Sequence, residues 1–78
     1  PNPFNPSTKI EFKIPATGLV NIRVYDILGR EVITLINDEL QPGYYTIDFD
    51  ASALASGIYF YTLNTGEFNS TKKMILLK

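Results

Sequence analysis

Lys9-Ile10-Glu11-Phe12-Lys13-Ile14-Pro15-Ala16-Thr17-Gly18-Leu19-Val20-Asn21-Ile22-Arg23-Val24-Tyr25 alternates apolar and polar residues twice, on either side of a Pro-to-Gly connection. A strand sends successive side chains to opposite faces, so this period of two marks strands with one dry face and one wet one. Ile10, Phe12 and Ile14 form one inward row, and Val20, Ile22 and Val24 form another. No window of the chain sustains helical spacing free of β-branched and aromatic residues, so no helix is expected.

The same rhythm continues outward from these runs. The five glycines, Gly18, Gly29, Gly43, Gly57 and Gly66, each fall between apolar or alternating runs, at spacings of 11, 14, 14 and 9 residues. That is the rhythm of short strands joined by turns. Asp26-Ile27-Leu28-Gly29 reads as a tight connection, with Asp suited to start a turn and Gly to end it. A third run covers 30–36, and residues 37–43 read as a polar loop closed by Pro42-Gly43. In the run 44–50, Tyr45, Ile47 and Phe49 are set inward against Tyr44, Thr46, Asp48 and Asp50. Leu54, alone among small residues in the loop 51–56, plugs one end of the core. Ile58-Tyr59-Phe60-Tyr61-Thr62-Leu63 is apolar on both faces, so it belongs in the middle of a sheet with neighbours over both sides. Residues 64–67 form a turn and 68–78 a closing strand.

Together the runs predict an all-β fold. It is a small antiparallel, immunoglobulin-like β-sandwich of about seven strands with no helix. Ser56-Gly57-Ile58-Tyr59 is similar to a tyrosine corner, in which a Tyr hydroxyl bonds back to loop backbone. Gly57 and Tyr59 would form it, with Tyr59 and Tyr61 pointing inward. The 78 residues are read as one domain: an extended leader over 1–8 and a sandwich over 9–78. In the leader, Pro1, Pro3 and Pro6 lack a backbone donor and push their predecessors toward extended conformations. Phe4 is its aromatic anchor, placed to cap the core, flanked by Pro3, Asn5 and Pro6.

Composition removes most chemistry. Seven basic and eight acidic residues give a net charge of −1, which argues against a nucleic-acid face. There is no Cys, which removes disulfides, thiolate catalysis and the usual structural zinc sites. There is no His, which removes the commonest general base and a major metal ligand. No apolar run approaches the ~20 residues that span a bilayer. No basic-then-apolar leader opens these residues, so export would be directed from elsewhere.

A few constellations remain. Asp48 and Asp50 share a strand face about 7 Å apart, a spacing that glycosidases use, but a solvated strand face explains them better. Asp26, Asp38, Asp48 and Asp50 are oxygen donors near turns, yet no loop carries the spacing of a calcium site. No cofactor is called for. Tyr25, Tyr44, Tyr59, Phe60 and Tyr61 would make a carbohydrate platform if exposed together, whereas strand packing is the simpler use. Asn69-Ser70-Thr71 fits a glycosylation acceptor pattern that chance readily supplies. Lys72-Lys73-Met74-Ile75-Leu76-Leu77-Lys78 reads either as a closing strand with charged ends or as a strand presented to a receptor.

Five pieces then occur in order: Pro1-Asn2-Pro3-Phe4-Asn5-Pro6-Ser7-Thr8, Tyr25-Asp26-Ile27-Leu28-Gly29-Arg30-Glu31-Val32, Leu40-Gln41-Pro42-Gly43, Ser56-Gly57-Ile58-Tyr59-Phe60-Tyr61 and the closing 72–78. In this set the chain resembles the type A C-terminal sorting domain of the type IX secretion system. The resemblance implies an immunoglobulin-like sandwich at the end of a larger secreted protein of Bacteroidetes and related phyla. An outer-membrane translocon would recognise it. A sortase-like peptidase would remove it and attach the cargo to surface lipopolysaccharide, or the protein would be released. The cargo would thus reach the cell surface or the medium after passing through the periplasm. The family's closing strand maps onto Lys72, Lys73, Met74, Ile75, Leu76, Leu77 and Lys78, its turn onto Gly29 and Arg30, and its glycine before the tyrosine strand onto Gly57. A similar opening occurs in the immunoglobulin-like part of the flagellar hook-capping protein.

The family domain is a tail, whereas this chain starts at Pro1. It is therefore either a segment separated from its cargo or an independent product. The leading expectation is a non-catalytic sorting module. The alternatives are an assembly module that self-associates through edge strands into a filament, and a carbohydrate-binding module.

Overall fold

Val20, Ile22 and Val24 are 0–1 % exposed, the driest large side chains among the described residues. They sit in a computed structural model that describes residues 7–67 and 69–78. Six strands run in order: β1 (Ser7–Ile14), β2 (Gly18–Asp26), β3 (Glu31–Leu40), β4 (Gly43–Asp50), β5 (Gly57–Asn64) and β6 (Asn69–Leu76). No helix lies among the described residues.

All pairings are antiparallel. β1 pairs with β4 in one sheet, and the other sheet has the order β3-β2-β5-β6. The connections β1 to β2, β3 to β4 and β4 to β5 each cross from one sheet to the other. Two layers result, not one meander. Each layer has one greasy face, and burying those faces against each other closes the sandwich. Ile10, Phe12 and Ile14 of β1 and Phe49 of β4 meet Val20, Ile22 and Val24 of β2 and Tyr59 and Leu63 of β5. Phe12 and Tyr45, opposite each other in the β1–β4 ladder, stack at 5.5 Å between ring centroids. Leu54 is half-buried against this core, as its isolation in the sequence predicts.

Three expectations need correction. The strands number six among the described residues, not about seven. Residues 51–56 form turns, closed by the Leu54 amide bonding the Ala51 carbonyl at 3.0 Å, and add no strand. The polar stretch expected as a loop over 37–43 is mostly strand, because β3 continues to Leu40 with Asn37, Asp38 and Glu39 paired to Asn21, Val20 and Leu19. Ladder hydrogen bonds come from the backbone, so an edge strand tolerates polar side chains that would argue for a loop elsewhere. Finally, β5 is central in its sheet but covered on one face only. Ile58 and Phe60 lie half-buried on an outer face over which no layer of the described residues lies.

β1 begins at Ser7, so Ser7 and Thr8 are strand residues. The leader residues Pro3, Phe4, Asn5 and Pro6 lie outside the described residues. So does the expectation that Phe4 caps the core.

The core row of β2 sets a stability expectation. Ile22→Val should cost about 1 kcal/mol and Ile22→Ala about 3 kcal/mol, since the truncation leaves a cavity between two sheets. Leu19→Ala, on a side chain 58 % exposed, should stay within about 0.5 kcal/mol. Urea unfolding of the three variants checks the order.

Candidate functional site

The strand register gathers the candidate residues at one end of the sandwich. Asp26 pairs with Tyr59, and Tyr59 pairs with Met74, so the β2–β3 turn, the start of β5 and the end of β6 share a row. In the other sheet Ser7 pairs with Asp50, which puts the start of β1 at that same end. Asp26 lies two strand spacings, roughly 10 Å, from the closing strand, and Arg30, opposite it on the β3 side of the turn, lies three, roughly 14 Å.

The β2–β3 turn is rigid for identifiable reasons. The Asp26 carboxylate accepts the Leu28 amide at 2.9 Å and the Arg30 amide at 3.0 Å through Oδ1, and Arg30 Nε at 2.8 Å through Oδ2. Backbone bonds close the loop around it, Gly29 N to Asp26 O and Asp26 N to Arg30 O, both 2.9 Å. Gly29 holds φ +84°, a left-handed conformation that favours glycine. The Arg30 amide, followed by its guanidinium and the Leu28 amide, holds the Asp26 carboxyl below the usual carboxylate range. Ile27 and Leu28 are thereby fixed at the tip, 65 % and 74 % exposed.

Tyr59 forms the corner expected from Ser56-Gly57-Ile58-Tyr59. Its hydroxyl donates to the Ala55 carbonyl at 2.7 Å, pinning the loop that precedes β5. Sequence reasoning missed a second copy. Tyr45 donates to the Gln41 carbonyl at 2.6 Å, also four residues back. Gly43 and Gly57 share the same φ of 157°. The overlooked signal was a Gly-x-Tyr pattern repeated at a 14-residue interval.

The closing strand is an edge strand. Lys72, Met74 and Leu76 lie on the inner face, opposite Tyr61, Tyr59 and Gly57, while Lys73 and Ile75 lie on the outer face opposite Phe60 and Ile58. Met74 and Leu76 are half-buried, whereas Ile75 and Leu77 are 65 % and 66 % exposed. Lys78 latches the chain end onto the β4–β5 loop. Its amide donates to Ser56 Oγ at 3.1 Å and its ammonium donates to the Ser52 carbonyl. The sequence pointed to neither serine as a partner of Lys78. A groove of about 440 Å³ opens between the start of β1 and the end of β6, walled by Phe49, Leu54, Tyr59, Met74 and Leu76.

Residues 1–77 match the model of a family described as the secretion system C-terminal sorting domain. The chain belongs to this family. No curated protein and no solved structure matches it. It is a sorting module for type IX secretion, and the protein that carries such a module is exported to the cell surface or the medium.

The remaining sequence candidates are dispersed across the sorting domain. Asp48 is bonded to Lys9 at 2.7 Å, and Asp50 accepts the Ser52 amide at 2.9 Å, so each carboxylate has its own local task. Asp38 accepts the Glu39 amide, and Asp26 serves its turn, so the four aspartates converge on no common centre. Among the described residues no group of acidic side chains is arranged to hold a metal ion. The aromatic residues split between faces. Tyr44 stands 83 % exposed outside the small sheet, with the Lys13 ammonium 5.6 Å from its ring centroid. Tyr25 and Phe60 pair on the outside of the large sheet, and Tyr59 and Tyr61 point inward. They form no single platform. Asn69 is exposed at the start of β6.

Two outcomes are expected here. Tyr59→Phe keeps the ring and loses the hydroxyl, leaving the Ala55 carbonyl without that donor. It should cost about 1 kcal/mol in thermal unfolding and quicken amide exchange in the 51–56 loop. The second concerns acid. Because the Asp26 carboxyl is depressed in the fold, the unfolded chain takes up its proton first as pH falls. The stabilisation is complete above the ordinary aspartate value of ~3.9 and is lost as pH drops through the lower folded value. An Asp26→Asn variant should therefore show a shallower loss of thermal stability between pH ~5 and ~2.

Proposed function

We propose that the secretion machinery recognises this one end of the folded sandwich, and that the module works by binding alone, without catalysis. The single observation that carries the reading is the shared row Asp26, Tyr59, Met74. It supports a composite surface of the Gly29-Arg30 turn, the corner at Gly57 and Tyr59, and the closing residues Lys72 to Lys78. The translocon of the outer membrane reads this surface after the carrier has crossed into the periplasm. Residues 1–78 act as one sorting domain, and the Pro-rich segment before Ser7 is the junction with the cargo. A sortase-like peptidase cutting on the cargo side of Ser7 would leave the recognition surface whole. The absence of His and Cys from the sequence supports the non-catalytic part of the reading.

A fusion of a reporter cargo to this chain tests the proposal. Deleting residues 73–78 should leave the cargo in the periplasm. Since that deletion also strips an edge from the sheet, Leu77→Asp gives a cleaner probe, being a substitution on a side chain 66 % exposed. It should reduce surface delivery severalfold while circular dichroism and melting stay unchanged. Normal delivery of both variants would overturn the reading.

A further inference from the structure

Among the described residues four strands have a free edge: β1 and β4 in the small sheet, β3 and β6 in the large one. Free edges invite pairing with other chains, and proteins blunt them with charges, bulges and twists. Three are blunted here. β3 carries two register shifts, at Ile22/Arg23 and Val24/Tyr25, together with exposed Glu31, Asp38 and Glu39. β1 alternates exposed Lys9, Glu11 and Lys13, with Lys9 tied to Asp48 of β4. β4 carries Asp48 and Asp50 outward.

β6 differs. It pairs with β5 in unbroken register from Gly57↔Leu76 to Asn64↔Asn69. It contains no acidic residue, and residues 74–77 carry no side-chain charge. Lys72 and Lys73 are exposed, and among the described residues neither has a carboxylate partner. On a chain of net charge −1, this is a basic segment unpaired among the described residues, beside an apolar edge to which no described strand is added. The groove of about 440 Å³ lies against that apolar half.

We propose that the β6 edge accepts an extended strand from a partner, apolar where it passes the groove and acidic where it passes Lys72 and Lys73. Strand addition supplies affinity through main-chain hydrogen bonds and specificity through alternate side chains. The inner-facing residues of the added strand lie in line with Met74 and Leu76, so an aliphatic side chain at that position enters the groove beside Leu54 and Tyr59. One inner and one outer residue farther along meet Lys72 and Lys73, and carboxylates there satisfy both ammonium groups. The proposal rests on the recognition reading above and names the chemistry of the surface that reads the closing strand.

A synthetic eight-residue peptide of alternating valine and threonine, with two aspartates at one end, serves as probe, made in both orientations. Added to the isotopically labelled domain at low salt, one orientation should bind. Amide shifts should concentrate on β6 and on Leu54 and Tyr59, and β6 amides should gain protection from exchange. The double variant Lys72→Glu/Lys73→Glu should bind about tenfold more weakly, and a peptide ending in two lysines should restore binding to that variant. Shifts centred on β3 or the outer sheet face, no binding in either orientation, or indifference to charge reversal would each overturn the proposal. Concentration-dependent dimers that protect β6 in the absence of peptide would also overturn it, by assigning the edge to a second copy. In the reporter fusion, the double variant should lose surface delivery. If it is delivered normally while Leu77→Asp is not, strand addition fails and recognition of the closing end stands.

Discussion

The row Val20, Ile22, Val24 is the constraint on which the rest of the molecule depends. A 78-residue chain without Cys has one thin layer of apolar contact to hold it, and this row lies at its centre. β2 is also the strand that joins β3 to β5. Its inner face fixes how the two sheets meet, and its two backbone edges fix the register of both neighbours. A slip of one residue would turn the valines and isoleucine toward water, so the register is strongly specified. Every juxtaposition at the end that gathers Asp26, Tyr59 and Met74 inherits its precision from this pairing.

The peripheral contacts take over where the core stops. A small domain of this kind often relies on disulfides to hold its loops. Here two tyrosine hydroxyls hold the backbone on the approach to β4 and β5, one at each end of the sandwich. An aspartate holds the β2–β3 turn from inside. These bonds are local in sequence, each spanning four residues or fewer, so they add order to loops without lengthening the search the chain makes while folding.

The alternation of β1, β2 and β4 was legible because each strand has one buried face, and period two reports that burial. The central position of β5 was legible from its apolar residues on both sides. The extent of β3 was not, because Asn37, Asp38 and Glu39 pair through their backbones on an exposed edge where side-chain polarity carries no information. At the candidate site, the turn residues Gly29 and Arg30 and the closing lysines could be picked out individually. Their shared location could not, since it follows from a register between strands distant in sequence. The parts played by Ser52 and Ser56 in receiving Lys78 were hidden for the same reason: a carbonyl and a hydroxyl contacted across 26 and 22 residues leave no local pattern.

The latch at Lys78 has a consequence for the order in which this end of the molecule is assembled. Lys78 closes onto a loop made 22 residues earlier, and the strand just before it completes the row begun by Asp26. A chain synthesised only as far as β5 possesses the turn and the tyrosine corner but lacks the strand that lies beside them. The surface at this end therefore comes into being only after β6 has been made and has paired with β5. Its geometry reports that the sandwich has closed.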